Sequence, residues 1–303
     1  MTLRRRTFPL VPRRQLIGTP FGESRSSRRG RGAEVAGSRP YLPGDPVSTI
    51  DWYASARLSA AHGSDEFVVR EHYREESPRV VIVVDRQPSM ALYDPGFPWL
   101  SKPAAMTAAA EAIARSAVAA RAELGYAESS TGRTRVLSPG AVAPRYILER
   151  VRSASFDAAP ASLEHVLTEL AKRRAELPQG SFVFVLSDFA AGAHGPTWTQ
   201  LQRARLDVVP VVVQDPTWEQ SFPAVQGVVI PFASLDREVA PTRLTASECA
   251  IRRREHEDRL ARLLIGFHRL NFDPVVLGTD EPRAIDAAFV QWAERRRRRR
   301  GRR

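Results

Sequence analysis

Short apolar runs set the rhythm of this chain. Residues 80–84 read Val-Val-Ile-Val-Val with no polar break, the pattern of a strand buried on both faces. Residues 182–186 and 208–213 repeat it, 275–277 form a shorter fourth run, and 135–137 are a weaker candidate. Between these runs the period lengthens. Met106, Ala110, Ile113, Ala117, Ala120 and Leu124 recur at alternating spacings of four and three, one face of a helix. Leu163, Val166, Leu167 and Leu170 do the same, with Ser162 placed as a cap. Leu260, Leu263, Leu264 and Phe267 mark a long basic helix starting near Ala246, and Ile285, Ala288, Phe289 and Trp292 mark a last one. Strands alternating with helices predict an α/β fold, a doubly wound, mostly parallel sheet with helices on both faces.

The first 78 residues lack that alternation. Residues 1–31 are rich in Arg, Pro, Ser and Gly, with one short strand predicted over 8–11; a further strand or hairpin is predicted over 66–71. Between them, Gly44-Asp45-Pro46 is turn chemistry: Gly supplies an unusual φ, Asp caps nearby backbone, and Pro fixes the next φ. Ile50-Asp51-Trp52 sets a carboxylate between two large apolar side chains, with Arg39 and Arg57 as partners for Asp45 and Asp51. The expectation is a tight turn, an Asp–Arg network and a buried Trp52. The chain then divides into an N-terminal, mostly irregular and β segment (1–78) packed on the main domain, an α/β domain (79–294) and a basic tail (295–303).

Composition changes this picture in two places. With 303 residues and 43% hydrophobic content the chain can bury a sizeable core, and no apolar run approaches the ~20 residues of a membrane span. No secretory segment is evident, and a single cysteine, Cys249, leaves no internal disulfide, so a reducing cytoplasm is the expected setting. The net charge of +11 is uneven: residues 295–303 hold eight arginines, residues 1–31 hold nine against one acid, and the rest is mildly acidic, 28 basic residues against 33 acidic. The tail is expected to be solvated and disordered. Its charge also permits phosphate contacts with nucleic acid, although no aromatic residue interleaves it as a stacking platform.

Arg39, Tyr41, Pro43, Gly44, Asp45, Ile50, Asp51, Trp52, Ser55, Ala56 and Arg57 together match the pattern R-x-Y-x-P-G-D-x-x-x-x-I-D-W-x-x-S-A-R. With Gly22, Gly30, Gly32 and Glu34 upstream and residues 214–223 downstream, the chain from about Gly18 to Trp292 resembles the family of bacterial proteins of unknown function 58, in its actinobacterial branch. The resemblance implies a von Willebrand factor A-like domain after the motif. It also implies a partner, an AAA+ ATPase of the MoxR type, and a chaperone-like role in the maturation of other proteins.

Candidate chemistry lies beyond the carboxyl ends of the strands, where open α/β sheets bind ligands. Asp85, Asp188 and Asp215 follow three of them, and carboxylates with nearby hydroxyls make a hard oxygen site for Mg²⁺. The resemblance implies an adhesion-type metal site built from D-x-S-x-S, a distant Thr and a late Asp. The matching positions are Asp85, Gln87 in place of the first Ser, Ser89 and Asp188; residues 156–162 contain no Thr. Two departures from the ligand set predict that Mg²⁺ binds weakly or not at all. The six histidines (62, 72, 165, 194, 256 and 268) show no zinc spacing, and there is no phosphate loop or G-x-S-x-G elbow. Cys249 reads as a packed small residue. The expected function is a non-enzymatic interaction module whose rim around Asp85, Ser89 and Asp188 holds a protein partner. A nucleic-acid-associated factor using the basic termini is the alternative, and a metal-assisted hydrolase at the same acids is the third reading.

Overall fold

The structure, a computed structural model, describes residues 6–13, 17–18, 35–73, 77–92, 100–130, 132–153, 155–193, 195–230 and 242–300. Gly22, Gly30, Gly32, Glu34 and His194 lie outside the described residues. The chain forms two compact units: Arg14–Ser77, and a second one that joins Met1–Arg13 to Pro78–Arg303.

The smaller unit is built on β1 (Ile17–Gly18), β2 (Val35–Pro40) and β3 (Val68–Tyr73), antiparallel in the order β1-β3-β2, with helix α1 (Trp52–His62). The sequence motif explains its joints. Gly44 takes φ +107° in the turn after β2, where a side chain would be strained, and Asp45 accepts the Leu42 amide at 2.9 Å. The Arg39 guanidinium forks onto both Asp45 oxygens at 2.7 Å and holds that carboxyl down at about 2. Asp51 caps α1 by accepting the Ala54 amide, and Ser55, buried, donates to the Asp51 carbonyl at 2.7 Å while accepting the Val68 amide at 2.9 Å. One serine thereby ties the first turn of the helix to β3.

The larger unit carries β4 (Arg79–Val84), α2 (Lys102–Ala119), β5 (Glu123–Ser130), β6 (Arg133–Leu137), α3 (Pro144–Ser153), α4 (Ser162–Lys172), β7 (Phe182–Ser187), α5 (Pro196–Arg203), β8 (Asp207–Val213), β9 (Val229–Ile230), β10 (Thr242–Arg243), α6 (Ala246–Arg269), β11 (Val275–Leu277) and α7 (Pro282–Arg300). Six strands form one sheet in the order β11-β8-β7-β4-β5-β6, all parallel except β6. Side-chain alternation divides the core. Val80, Ile82, Val84, Phe184 and Leu186 face α2, α3 and α7; Val81, Val83, Val183 and Val185 face α4, α5 and α6. Both faces are covered, as the unbroken apolar runs require. The α/β class and the doubly wound parallel sheet are therefore as expected.

Several local expectations are corrected. Residues 8–11 form no strand; Phe8 and Val11 are buried plugs in the core, with Phe8 stacked on Phe289 at 4.8 Å. The expected mostly irregular and β N-terminal segment contains a helix, α1. Trp52 is 58% exposed, not buried, and the partner of Asp51 is Arg70, at 2.7 Å, not Arg57. The helix read through Leu124 stops at Ala119: Arg121 adopts φ 54°, Ala122 donates back to the Ala117 carbonyl at 2.8 Å, and Leu124 enters β5. The tail, expected to be disordered, is helical over its described residues, 295–300. Through Arg300 it continues α7, and Arg296 is buried, donating to Asp273 at 3.1 Å, Asp207 at 3.0 Å and the Val11 carbonyl at 3.1 Å. Periodicity saw no apolar residue in the arginine run; it could not see two buried acids waiting for one of them.

Candidate functional site

The rim predicted from sequence does assemble. β4 and β7 are neighbours with Val84 opposite Leu186, so the residues that follow, Asp85 and Asp188, leave the sheet side by side. Asp85, Gln87, Ser89 and Asp188 are all buried. Asp85 accepts the Ser187 hydroxyl at 2.6 Å, the Gln87 amide at 3.0 Å and the Gln87 side-chain nitrogen at 3.4 Å. Burial pushes the Asp85 carboxyl up to about 6 despite those donors, with the charge of Asp188 adding to the rise. Gln87, at the position of the first Ser, donates to Asp85 from both its backbone and its side chain. Ser89 sits in a short 3-10 turn, Pro88–Ala91, and its hydroxyl is buried without a partner.

Sequence reasoning missed the residue at the centre of this rim. Lys102, the first residue of α2, is 1% exposed and donates to Asp188 at 3.0 Å and to Glu219 at 2.7 Å. Glu219 is held in turn by the Asp215 amide at 2.7 Å, and burial pushes its carboxyl up while Lys102 pulls it back. Asp215 is spent on backbone: it accepts the amides of Leu100, Thr217 and Trp218 at 2.8–2.9 Å. Gln214 donates to the Asp188 carbonyl at 2.5 Å, leaving its own side-chain oxygen buried and unpartnered. Phe189, directly after Asp188, is held at φ 52°, a strained conformation for an aromatic residue, by packing on Phe267 and Trp198.

A neighbouring network is structural. Arg86, also buried, donates to Glu128 at 2.9 Å, to the Tyr126 hydroxyl at 2.9 Å and to the carbonyls of Arg150 and Val151. Arg150 donates to the other Glu128 oxygen. Burial would raise Glu128, but these donors outweigh it and its carboxyl lies below the usual range. Cys249 is packed with Phe222 and Leu244, as expected of a small apolar residue.

The rim residues do not fit a divalent ion. The oxygens of Asp188 and Glu219 that face each other across the site are bridged by an ammonium, and both Asp85 oxygens already accept donors. Among the described residues, no group of three or more His, Cys, Asp or Glu side chains is arranged to hold a metal.

The motif that ties α1 to β3 and the sheet that carries this rim belong to one sequence pattern. The family model described as "Protein of unknown function DUF58" matches residues 37–261. The chain belongs to that family. Solved structures similar to this DUF58 chain include the conserved hypothetical protein BatB from Bacteroides thetaiotaomicron, 15% identical, covering 72% of this chain and 100% of its own, with a TM-score of 0.41. An aerotolerance-related membrane protein from Bacteroides fragilis is 15% identical over the same shares, with a TM-score of 0.43. The pilus adhesin SpaC from Lactobacillus rhamnosus GG is 12% identical, covering 74% of this chain and 31% of its own, with a TM-score of 0.43. No curated protein matches the DUF58 chain. Among the described residues, no helix is long and apolar enough to cross a membrane.

Proposed function

We propose that this protein is a non-enzymatic interaction module of von Willebrand A-like type, acting with a MoxR-type AAA+ ATPase in chaperone-like maturation or assembly in the cytoplasm. The observation that carries the interaction role is the outer face of α1. Part of the family motif builds the small unit: Arg39 with Asp45, and Asp51 with Ser55. The rest faces outward. Trp52, Tyr53, Ala56 and Arg57 follow helical spacing on one face and are all exposed, Tyr53 at 85%. Trp52 meets Phe67 edge-on at 6.0 Å, and Phe67 meets Tyr41 at 6.5 Å, giving a contiguous row of rings with Leu42 and Val47 exposed nearby. A cluster of exposed aromatic residues beside an arginine has the composition of a protein-binding hot spot. The family resemblance supplies the identity of the partner.

This reading places docking on α1 in preference to the rim expected from sequence. The rim's acids are buried and committed to Lys102, to the Ser187 and Gln87 side chains or to backbone amides, so a partner's side chain has no open carboxylate to meet. The same commitment argues against a hydrolase at these positions. The alternative, a nucleic-acid-associated factor, draws on the exposed Arg295, Arg297 and Arg298 of α7.

The test is capture of the ATPase with nucleotide present, by the wild type and by Tyr53→Ala and Arg57→Glu. Both side chains are exposed, so both variants should fold normally and lose capture. Undiminished capture by both would place the contact elsewhere, and binding that falls steeply with salt and requires nucleic acid would favour the alternative.

A further inference from the structure

We propose that Lys102 is the resident cation of the rim: its ammonium stands where Asp188, Glu219 and their neighbours would otherwise draw a divalent ion, so the rim is metal-independent and removing the lysine opens a Mg²⁺ or Mn²⁺ site. This inference is independent of the docking face on α1.

Residue choice is the first argument. Of 45 basic residues in the chain, only two, Lys102 and Lys172, are lysines. A chain that meets almost every other need for positive charge with arginine uses lysine here. The guanidinium is a broad planar fork, whereas the ammonium is a compact point charge that sits between two carboxylates much as a metal ion does.

Position is the second. Lys102 begins α2, where the helix dipole disfavours a cation, and it is almost fully buried, where a lone ammonium is expensive. Neither local propensity nor burial favours lysine at this point; only the acids across the rim do. The surrounding charge is the third. Asp85, Asp188 and Glu219, all largely removed from solvent, together outnumber the one ammonium. Finally, the Ser89 hydroxyl and the Gln214 side-chain oxygen are buried and unpartnered. They are neutral oxygens of the sort a hard cation takes; Ser89 lies in the loop after β4 that also carries Asp85, and Gln214 donates to the Asp188 carbonyl.

An ordinary structural ion pair makes a different prediction from a self-filled cation site. Breaking the former leaves uncompensated acids and nothing more. Breaking the latter leaves acids that recruit an ion. The experiment uses the full chain, with Mn²⁺ binding followed by paramagnetic resonance and thermal unfolding compared in EDTA, Mg²⁺ and Mn²⁺. The wild type should show no stoichiometric Mn²⁺ binding and the same midpoint in all three. Lys102→Met should unfold earlier in EDTA, recover when metal is added, and bind Mn²⁺ at least about tenfold more tightly than the wild type. Should Lys102→Met fail to fold, Lys102→Ala combined with Glu219→Gln removes one charge of each sign and should fold and still bind Mn²⁺ through the remaining acids. Lys102→Arg should destabilise without conferring metal binding. Stoichiometric Mn²⁺ on the wild type, or a folded lysine-less variant that ignores Mn²⁺, overturns the proposal.

Discussion

Replacing Arg296 by methionine is the sharpest test of the claim that the arginine run is part of the fold. The change keeps much of the side-chain stem, which lies against Trp292 with the guanidinium carbon 4.4 Å from the ring centre, and removes only the charge and its donors. Asp207 and Asp273, both buried, lose their shared partner, and the Val11 carbonyl loses its donor. Breaking one side of a buried ion pair costs about 3–5 kcal/mol. For a unit of this size that corresponds to a fall of roughly 10 °C in the unfolding midpoint. Arg299 is the built-in control: it also pairs with Asp273, at 2.7 Å, but its side chain is 66% exposed. Solvent screens such a pair, so Arg299→Met should cost no more than about 1 kcal/mol. The measurement is urea unfolding of wild type and both variants, with Arg296→Met plus Asp207→Asn expected to recover part of the loss. Equal small effects from the two arginines would refute the reading and restore a dispensable tail.

Three further outcomes follow from the same structure. Asp85 titrates well above the ordinary aspartate value, at about 6, so the protonated acid is the form favoured by folding; that stability is present below the ordinary carboxylate range and is lost as pH rises through about 6. Asp85→Asn should therefore gain on the wild type, by about 2 kcal/mol, between pH 4.5 and pH 7.5, and a pH-independent difference between the two would rule this out. Ser55→Ala should cost about 1–3 kcal/mol within the small unit, seen as faster amide exchange at Val68, and unchanged protection there would show the tie to be ornamental. Phe8→Ala should lower the stability of the larger unit by about 3–5 kcal/mol, since the ring is buried against Phe184, Phe289 and Trp292, whereas a near-neutral effect would mean that the segment is not docked in solution.

The sheet was legible because its strands are unbroken apolar runs, and a strand covered on both faces leaves no other pattern. β5 escaped because it carries Glu128, which is buried by partners from elsewhere in the chain, and Gly125, neither of which reads as core. The motif around Asp45 and Asp51 was legible as turn and cap chemistry, but the orientation of Trp52 was not, because an aromatic residue in the first helical turn can face either way. At the rim, Asp85 and Asp188 could be placed by topology alone. Lys102 could not, since its partners Asp188 and Glu219 lie 86 and 117 residues away in sequence and only the folded sheet brings them together. The one available signal was compositional: a lone lysine at a helix start in an arginine-rich chain.

The larger unit is closed by its own extremities. Phe8 and Val11 dock against α7, and the 64-residue small unit is threaded into the sequence between them and β4. During synthesis the residues around Phe8 precede Phe289, Trp292 and Arg296 by a long stretch of chain and lack that seat until those residues have left the ribosome. The small unit, whose contacts are local, can fold while it waits; the sheet can pair its strands but cannot be sealed. Final closure thus depends on contacts of very long sequence separation, and a nascent chain stalled before α7 would expose the apolar surface that Phe8 covers in the folded unit.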